Sequence, residues 1–553
     1  GDLAKATNAL SSEQMIAEKV QAAPNKRIKN QSIAVGKPSL TRFSPTAKVM
    51  AQTVSNRNCM PMAKAEYNGP HREAQVDEHG IIVAPAEGDT TYYKRSGSSY
   101  YNDGYGSSYD TQSGHVAIVE CDNGEVYIKD PVCKYEQNTW VKGTKVGKTI
   151  TVATHQPIAY AETYNATLSL RWGKMDESWQ MHATDDIADH FTFTVDADSI
   201  TLEGTAEDLV MGVFWDDNDE ATGFGDYATV WRYDAGYTPP STELVKIPEG
   251  LKTESWYVSG DKMVYGSASH FKGSTTVGFD GNDVYVKGLF EEFPDSWIKG
   301  TIKDGVATFP KLQYLGNYYS SKIWAIGLRL ISDYEAVIED FQMSYDAETK
   351  TFKSLNELLE NASDEEPYYI AWFRDLQFMP EDPYAAPAEI PYFNEIANDD
   401  QMDEFTVIDA NNDGYSWSFF NTEGARYTNN NYKPGDDWLI TRGFELKAGC
   451  AYHFAFDYRA SGYDERLEVK MGKEATAGAM TLPVIARTDF DNTEYKTLEN
   501  DRIMVQEDGI YYFGIHAISD ADKYAIYVKN VMVDEGLLPT SPAAVENLKT
   551  IPA

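Results

Sequence analysis

The sequence predicts an all-β protein in which two tandem, duplicated β-barrel- or sandwich-like modules precede a third β domain. Three observations predict it. A long segment occurs twice, most stretches alternate apolar and polar residues between Gly or Asp-Gly turns, and the 553 residues include 37 Tyr, 23 Phe and 11 Trp, which suit sheets better than helical bundles.

The duplication is read directly. Asp122-Asn123-Gly124-Glu125-Val126-Tyr127-Ile128-Lys129 returns as Asp280-Gly281-Asn282-Asp283-Val284-Tyr285-Val286-Lys287, and Trp140-Val141-Lys142-Gly143-Thr144 returns as Trp297-Ile298-Lys299-Gly300-Thr301. The register holds from Gln156 to Gln313, and again from Phe191 to Phe341 after a small deletion. An Asn-Gly or Gly-Asn dipeptide between alternating apolar residues is a strong hairpin signal. The copies share structural residues and no nucleophile with a base beside it.

Along the chain, residues 1–80 form a leader. Ser11-x-x-Gln14 before Met15, Ile16 and Val20 reads as a capping box opening one short helix, followed by an extended stretch. The leader is basic: residues 1–72 carry 11 Lys/Arg against 4 Asp/Glu, and it is expected to dock on the acidic remainder. Copy one spans 81–240 and copy two 246–390. One helix is expected in each, from Thr205-x-x-Asp208 before Leu209 and from Ser354-x-x-Glu357 before Leu358.

From Tyr392 the pattern changes. Phe405-Thr406-Val407-Ile408 leads into Asp409-Ala410-Asn411-Asn412-Asp413-Gly414-Tyr415-Ser416-Trp417, then Asp437-Trp438-Leu439-Ile440 and an alternating run from Tyr452 to Tyr458. These residues resemble the cleaved-adhesin, or choice-of-anchor J, domain of secreted Bacteroidetes proteins, known from the haemagglutinin regions of gingipains. The resemblance covers 391–538 and implies a jelly-roll β-sandwich that works by adhesion and by glycan or protein binding, often with structural calcium. Residues 539–553 read as a linker into a fibronectin type III domain, through Pro542-Ala543-Ala544-Val545, so the natural protein is expected to continue. No signal peptide is read in the sequence, and a chain starting at Gly1 is expected to be a processed or engineered mature form.

Net charge is −38, a balance that repels phosphate backbones and argues against nucleic acid as a partner. No apolar run approaches the ~20 residues of a membrane-crossing helix. Four cysteines (Cys59, Cys121, Cys133, Cys450) have no zinc spacing, and a Cys121–Cys133 disulfide would be private to copy one.

Two sets of candidate site residues follow. Asp409, Asn411 and Asp413 place three oxygens on alternate residues ahead of Gly414, an arrangement suited to Ca²⁺, although Phe420 occupies the twelfth position where an EF-hand has Glu. The resemblance adds Glu395 as a ligand in the first strand, while Lys529-Asn530 stand where an acidic pair is common. The bland alternative is an Asx-turn without metal. Trp215-Asp216-Asp217-Asn218-Asp219-Glu220 is a second acidic cluster, read as a solvated loop. Tyr92 to Ser113 mixes Tyr with Ser, Gly and Asn as antibody paratopes do, and nominates Tyr100, Tyr101 and Tyr105 as ligand contacts, the bland alternative being a strand–loop–strand with exposed tyrosines and no ligand. Gly143 to Thr149 is one residue short of a phosphate-binding loop and is better explained by hairpin glycines.

Together these point to a secreted or cell-surface, outer-membrane-associated adhesin that binds glycans or extracellular proteins and is not an enzyme. The rivals are a glycoside hydrolase or peptidase with a scattered site, and a structural spacer.

Overall fold

The computed structural model describes residues 72–102, 107–219, 223–264, 267–318, 321–332 and 335–537. The helix expected after Ser11, the basic leader up to residue 71 and the fibronectin-like stretch lie outside the described residues. What is described forms two compact units, divided between Pro380 and Glu381. Both are built almost wholly of antiparallel strands.

The first unit contains both copies, and each copy is a closed barrel of eight strands. In copy one the sheet runs through Asp89–Asn102, His115–Glu120, Glu125–Lys129, Trp140–Val146, Thr149–Ala153, His190–Asp196, Ser199–Leu202 and Phe224–Tyr233. It closes where the last strand pairs with the first, Trp231 opposite Arg95. Copy two repeats the circuit from Thr253–Val264 to Tyr369–Met379 and closes with Val258 opposite Phe378. Closure leaves the ring no open edge, and inward residues such as Ile128, Val141 and Phe193, or Val286, Ile298 and Phe341, fill the interiors.

The repeated residues are repeated for structural reasons. Gln156 reaches back to the strand beside it, accepting from Lys142 N at 2.7 Å and donating to Lys142 O and Ala153 O at 2.8 and 3.0 Å. Gln313 does the same with Lys299 N, Lys299 O and Pro310 O at 2.7, 2.9 and 3.1 Å. Gly124 and Gly281 sit at φ of 85° and 57°, the left-handed region that these two hairpin turns require. Gly147, at φ 60°, turns the hairpin between Val146 and Thr149, so that stretch is strand and turn with no helix following it.

Each barrel carries a small side sheet. In copy one Leu209–Trp215 pairs with Ala166–Met175, and in copy two Glu357–Asn361 pairs with Ser321–Leu330. These are the segments in which a helix is expected from sequence, and that expectation is corrected. Leu358, Leu359 and Glu360, like Val210, Met211 and Val213, are buried, and a strand covered on both faces loses the alternation that marks a strand.

The side sheets also hold the buried charges. Arg171 in copy one lies opposite Gly212, and in copy two Glu360 lies opposite Ala325. Glu360 is fully enclosed, and neither of its carboxylate oxygens has a hydrogen-bond partner. Burial, reinforced by the neighbouring Glu292 charge, pushes its pKa well above the usual carboxylate range. Because the folded state holds this proton more tightly than the unfolded chain, copy two loses stability as pH rises from about 4.5 through the folded pKa. Glu360→Gln is expected to flatten that decline and to be more stable than the parent at pH 8 by about 1 kcal/mol or more. Parallel denaturant curves at pH 5 and pH 8 would show this; equal pH dependence in parent and variant would refute it.

The second unit is a two-sheet β-sandwich. One sheet runs Trp417–Phe420, Gly424–Thr428, Ala525–Glu535, Tyr452–Arg459 and Lys496–Ile503, with Tyr392–Asn394 beside Ala525–Glu535. The other runs Thr406–Asp409, Asp437–Leu446, Gly509–Ala517, Glu465–Gly472 and Leu482–Phe490. Phe454, Phe456 and Val533 of one face meet Phe444, Val469 and Phe513 of the other in a continuous core. A four-residue helix, Asp399–Met402, is capped by Asn398, whose side chain accepts from Gln401 N at 2.8 Å.

Candidate functional site

The sandwich gathers three carboxylates at one edge. Asp409 ends its strand and pairs in register with Asp437, the first residue of the next strand. Like charges facing each other across a ladder are unfavourable by themselves. The loop after Asp409 then folds Asp413 back, so that oxygens of Asp409, Asp413 and Asp437 all lie within 4.8 Å of one another. Part of this charge is absorbed locally: Asp409 accepts from Gly414 N at 2.8 Å, and Asp413 accepts from Tyr415 N at 3.0 Å and from the Asn411 and Asn430 side-chain amides at 3.2 and 3.1 Å. These amide donors outweigh burial and hold Asp413 below the usual carboxylate range.

Asp437 is different. It is fully buried, its Oδ2 accepts from Asp436 N at 3.0 Å, and its Oδ1 has no hydrogen-bond partner. Burial first, then the charges of Asp409 and Asp413, push it up to about 7. Asn411 shows the same one-sidedness: its amide nitrogen donates to Pro434 O at 2.9 Å, while its buried Oδ1 is unpartnered. Among the described residues no Lys, Arg or His makes an ion pair with any of the three carboxylates. Three converging carboxylates and two idle buried oxygens form an all-oxygen donor set that fits a hard divalent cation.

Sequence reasoning places Asp409, Asn411 and Asp413 here but misses Asp437, whose signal is its position opposite Asp409 and is visible only once the strands pair. Glu395 is corrected. It does not join the group; its side chain is exposed, and only its backbone carbonyl is engaged, by Asn530 N at 3.3 Å. Asn530 donates instead to Asp457 at 2.8 Å, and Lys529 lies over the Tyr495 ring at 4.0 Å.

Around the acidic loop stand four exposed tyrosines: Tyr415, Tyr432, Tyr463 and Tyr524. They are tied to it by a short chain of bonds. Asp413 holds Tyr415 N and the Asn430 side chain, and Asn430 in turn accepts from Tyr432 N at 2.8 Å and, through its carbonyl, from Asp522 N at 3.0 Å. Tyr524 accepts from Asn429 N at 3.0 Å and stacks on Tyr463 with ring centroids 6.1 Å apart. Tyr432 is 91 % exposed.

The tyrosines nominated from sequence fare otherwise. Tyr100 is fully buried against Met175, Met181 and Phe214, with Tyr109 edge-on at 5.6 Å, so it presents no ring to a partner. Tyr101 is half-buried on the barrel core. Tyr105 lies outside the described residues. The Ser/Gly/Tyr composition reads as a loop, but Asp89–Asn102 and Ser107–Thr111 are paired strands whose alternation turns Tyr100 inward.

In the second acidic cluster, Asp216 and Asp219 are paired with protein cations. Buried Arg171 donates to Trp215 O and Asn218 O at 2.7 and 2.8 Å and meets Asp185 and Asp219 at 3.2 and 3.0 Å. His155 bridges Asp185 and Asp216. Cys121 and Cys133 are free thiols, so the conditional disulfide is not formed.

No protein-family model matches this chain, and no curated protein matches it. Among solved structures, the K3 and K1 cleaved adhesin domains of the Lys-gingipain of Porphyromonas gingivalis are similar at 14 % and 13 % identity. The matches cover 27 % and 26 % of this chain and 99 % and 98 % of those domains, with TM-scores of 0.21 and 0.22. The C-terminal family 22 carbohydrate-binding module of Clostridium thermocellum Xyn10B is similar at 12 % identity, over 27 % of this chain and 97 % of that one, with a TM-score of 0.20.

Proposed function

We propose that this is a secreted or surface-displayed binding protein of the adhesin type, which recognises glycans through the tyrosine-bearing loops of its C-terminal sandwich. The observation that carries the reading is the set of four exposed tyrosines, of which Tyr415 and Tyr432 are held to the acidic loop by backbone hydrogen bonds, Tyr524 is held to neighbouring Asn429, and Tyr463 stacks on Tyr524. A tyrosine face packs on the C–H face of a sugar while its hydroxyl stays hydrated, and loops tied down in advance lose little entropy on binding. In the same reading Ca²⁺, held by Asp409, Asn411, Asp413 and Asp437, fixes those loops.

Binding without turnover fits the unusual carboxyl groups. Asp226 and Glu360 are fully buried, and the Asp130 carboxylate is taken by Gln137, Asn138 and Thr139 backbone N–H groups at 2.9, 3.3 and 3.3 Å. Asp226 and Glu360 are closed off from any substrate.

A glycan array with the full chain tests the proposal. The double variant Tyr432→Ala/Tyr524→Ala is expected to lose about tenfold or more in affinity with an unchanged melting curve, since both rings are exposed and a central aromatic contributes about 2 kcal/mol to binding. Undiminished binding, or hydrolysis of the bound glycan, would sink the reading.

A further inference from the structure

The unit containing the two barrels holds a cleft of about 750 Å³ between the copies, within the range of small-molecule sites. Its walls come from both copies and from the segment joining them. Rings of Tyr92 and Trp140 from copy one, Tyr237 from the connection, and Trp324 and Tyr368 from copy two all line it.

The cleft is held open by a pinned junction. The His115 side chain of copy one is almost wholly covered. Its Nε2 lies 2.7 Å from Asp234 and its Nδ1 lies 2.9 Å from Glu365 of copy two. The ring stacks on Tyr237 at 3.4 Å, and the Tyr237 hydroxyl donates to Asp364. Nearby, Trp324 donates from Nε1 to Ser241 O at 2.9 Å, and Lys134 lies 5.8 Å over the Tyr368 ring. A cavity bounded by such fixed groups is preformed.

Its chemistry selects a class of ligand. Five Lys/Arg and five Asp/Glu line it, so it favours neither an anion nor a cation, and ten charges exclude a large apolar guest. The exposed Glu136 carboxylate lines the cleft and supplies hydrogen-bonding capacity. Aromatic faces interleaved with donors and acceptors of balanced charge match a neutral polyhydroxylated chain.

We propose that this cleft is a second ligand site, which takes a short neutral oligosaccharide with its rings against Tyr92 and Tyr368 and a hydroxyl bonded to Glu136. The ligand class rests on the glycan reading above; the site is separate from the sandwich loops. Both copies are needed to build it, which gives the duplication a use.

The test is calorimetric titration of the full chain with xylohexaose, cellohexaose, mannohexaose and laminarihexaose, on the parent, on Tyr92→Ala, Tyr368→Ala and Glu136→Gln, and on the sandwich variant Tyr432→Ala/Tyr524→Ala. At least one hexasaccharide is expected to bind with a dissociation constant raised about tenfold by each cleft tyrosine variant and unchanged by the sandwich variant. Glu136→Gln conserves shape, so it keeps the test decisive should a tyrosine variant fail to fold; its expected effect is about fivefold at an unchanged melting temperature. Binding abolished by the sandwich variant and untouched by the cleft variants would overturn this site and leave the sandwich reading standing. Binding weakened only in the cleft variants would support the cleft, the sandwich being judged by the glycan array, and no binding of any hexasaccharide by the parent would overturn the cleft.

Discussion

Chelation is expected to lower the melting temperature of the C-terminal sandwich by about 5–10 °C, and Asp437→Asn or Asp413→Ala to erase the difference between chelator and millimolar calcium. The figure follows from linkage. A ligand present at 100 times its dissociation constant and bound only by the folded state adds about 2.7 kcal/mol, which for a domain of this size is several degrees. Asp437 is the more telling substitution: it has an idle oxygen, is fully buried and faces two further carboxylates. If those oxygens collect a cation, Asp437→Asn weakens binding and also relieves repulsion in the metal-free form, so the variant should melt near the chelated parent or slightly above it. Scanning calorimetry of parent and both variants, with and without chelator, separates the cases. Superimposable parent curves would mean that the loop is an Asx-turn and nothing more.

Arg171→Ala is expected to destabilise the first barrel by about 3 kcal/mol, the other large effect. The two ion pairs supply the smaller share, because Asp185 and Asp219 are 62 % and 70 % exposed and are rehydrated once the guanidinium is gone. The larger share comes from the carbonyls of Trp215 and Asn218, left without their donor, and from the space vacated by a side chain only 2 % exposed. Arg171→Met keeps most of the packing and should recover roughly half the loss. Urea denaturation of both variants measures this, and a cost below about 0.5 kcal/mol for Arg171→Ala would show that the network contributes nothing. Asp185 offers an internal check. Bonds from His155 and Arg171 outweigh burial and hold its carboxyl below the usual range, so its contribution is present above about pH 4, fades as pH falls further and shrinks in the alanine variant.

What the sequence by itself determined was local or periodic. The duplication, the hairpins at Asn123-Gly124 and Gly281-Asn282, and the all-β class follow from turn chemistry and alternation, both of which act within a few residues and leave a trace in order of appearance. Asp409, Asn411 and Asp413 were legible for the same reason, since one loop carries all three. What only the tertiary structure decided depends on which residues meet from afar. Ring closure of each barrel joins strands more than a hundred residues apart in copy one, as Arg95 and Trp231 show. Asp437 reaches the acidic loop through strand register, and the junction cleft collects Tyr92, Trp140, Tyr237 and Tyr368 across the whole repeat. Burial was also decided at this level. Leu209–Trp215 and Glu357–Asn361 became strands because neighbours cover both their faces, and Tyr100 became core because pairing with Tyr109 and Gly225 turned it inward. Composition carries no sign of such coverage, because side-chain chemistry alone does not specify which face of a strand another sheet will occupy.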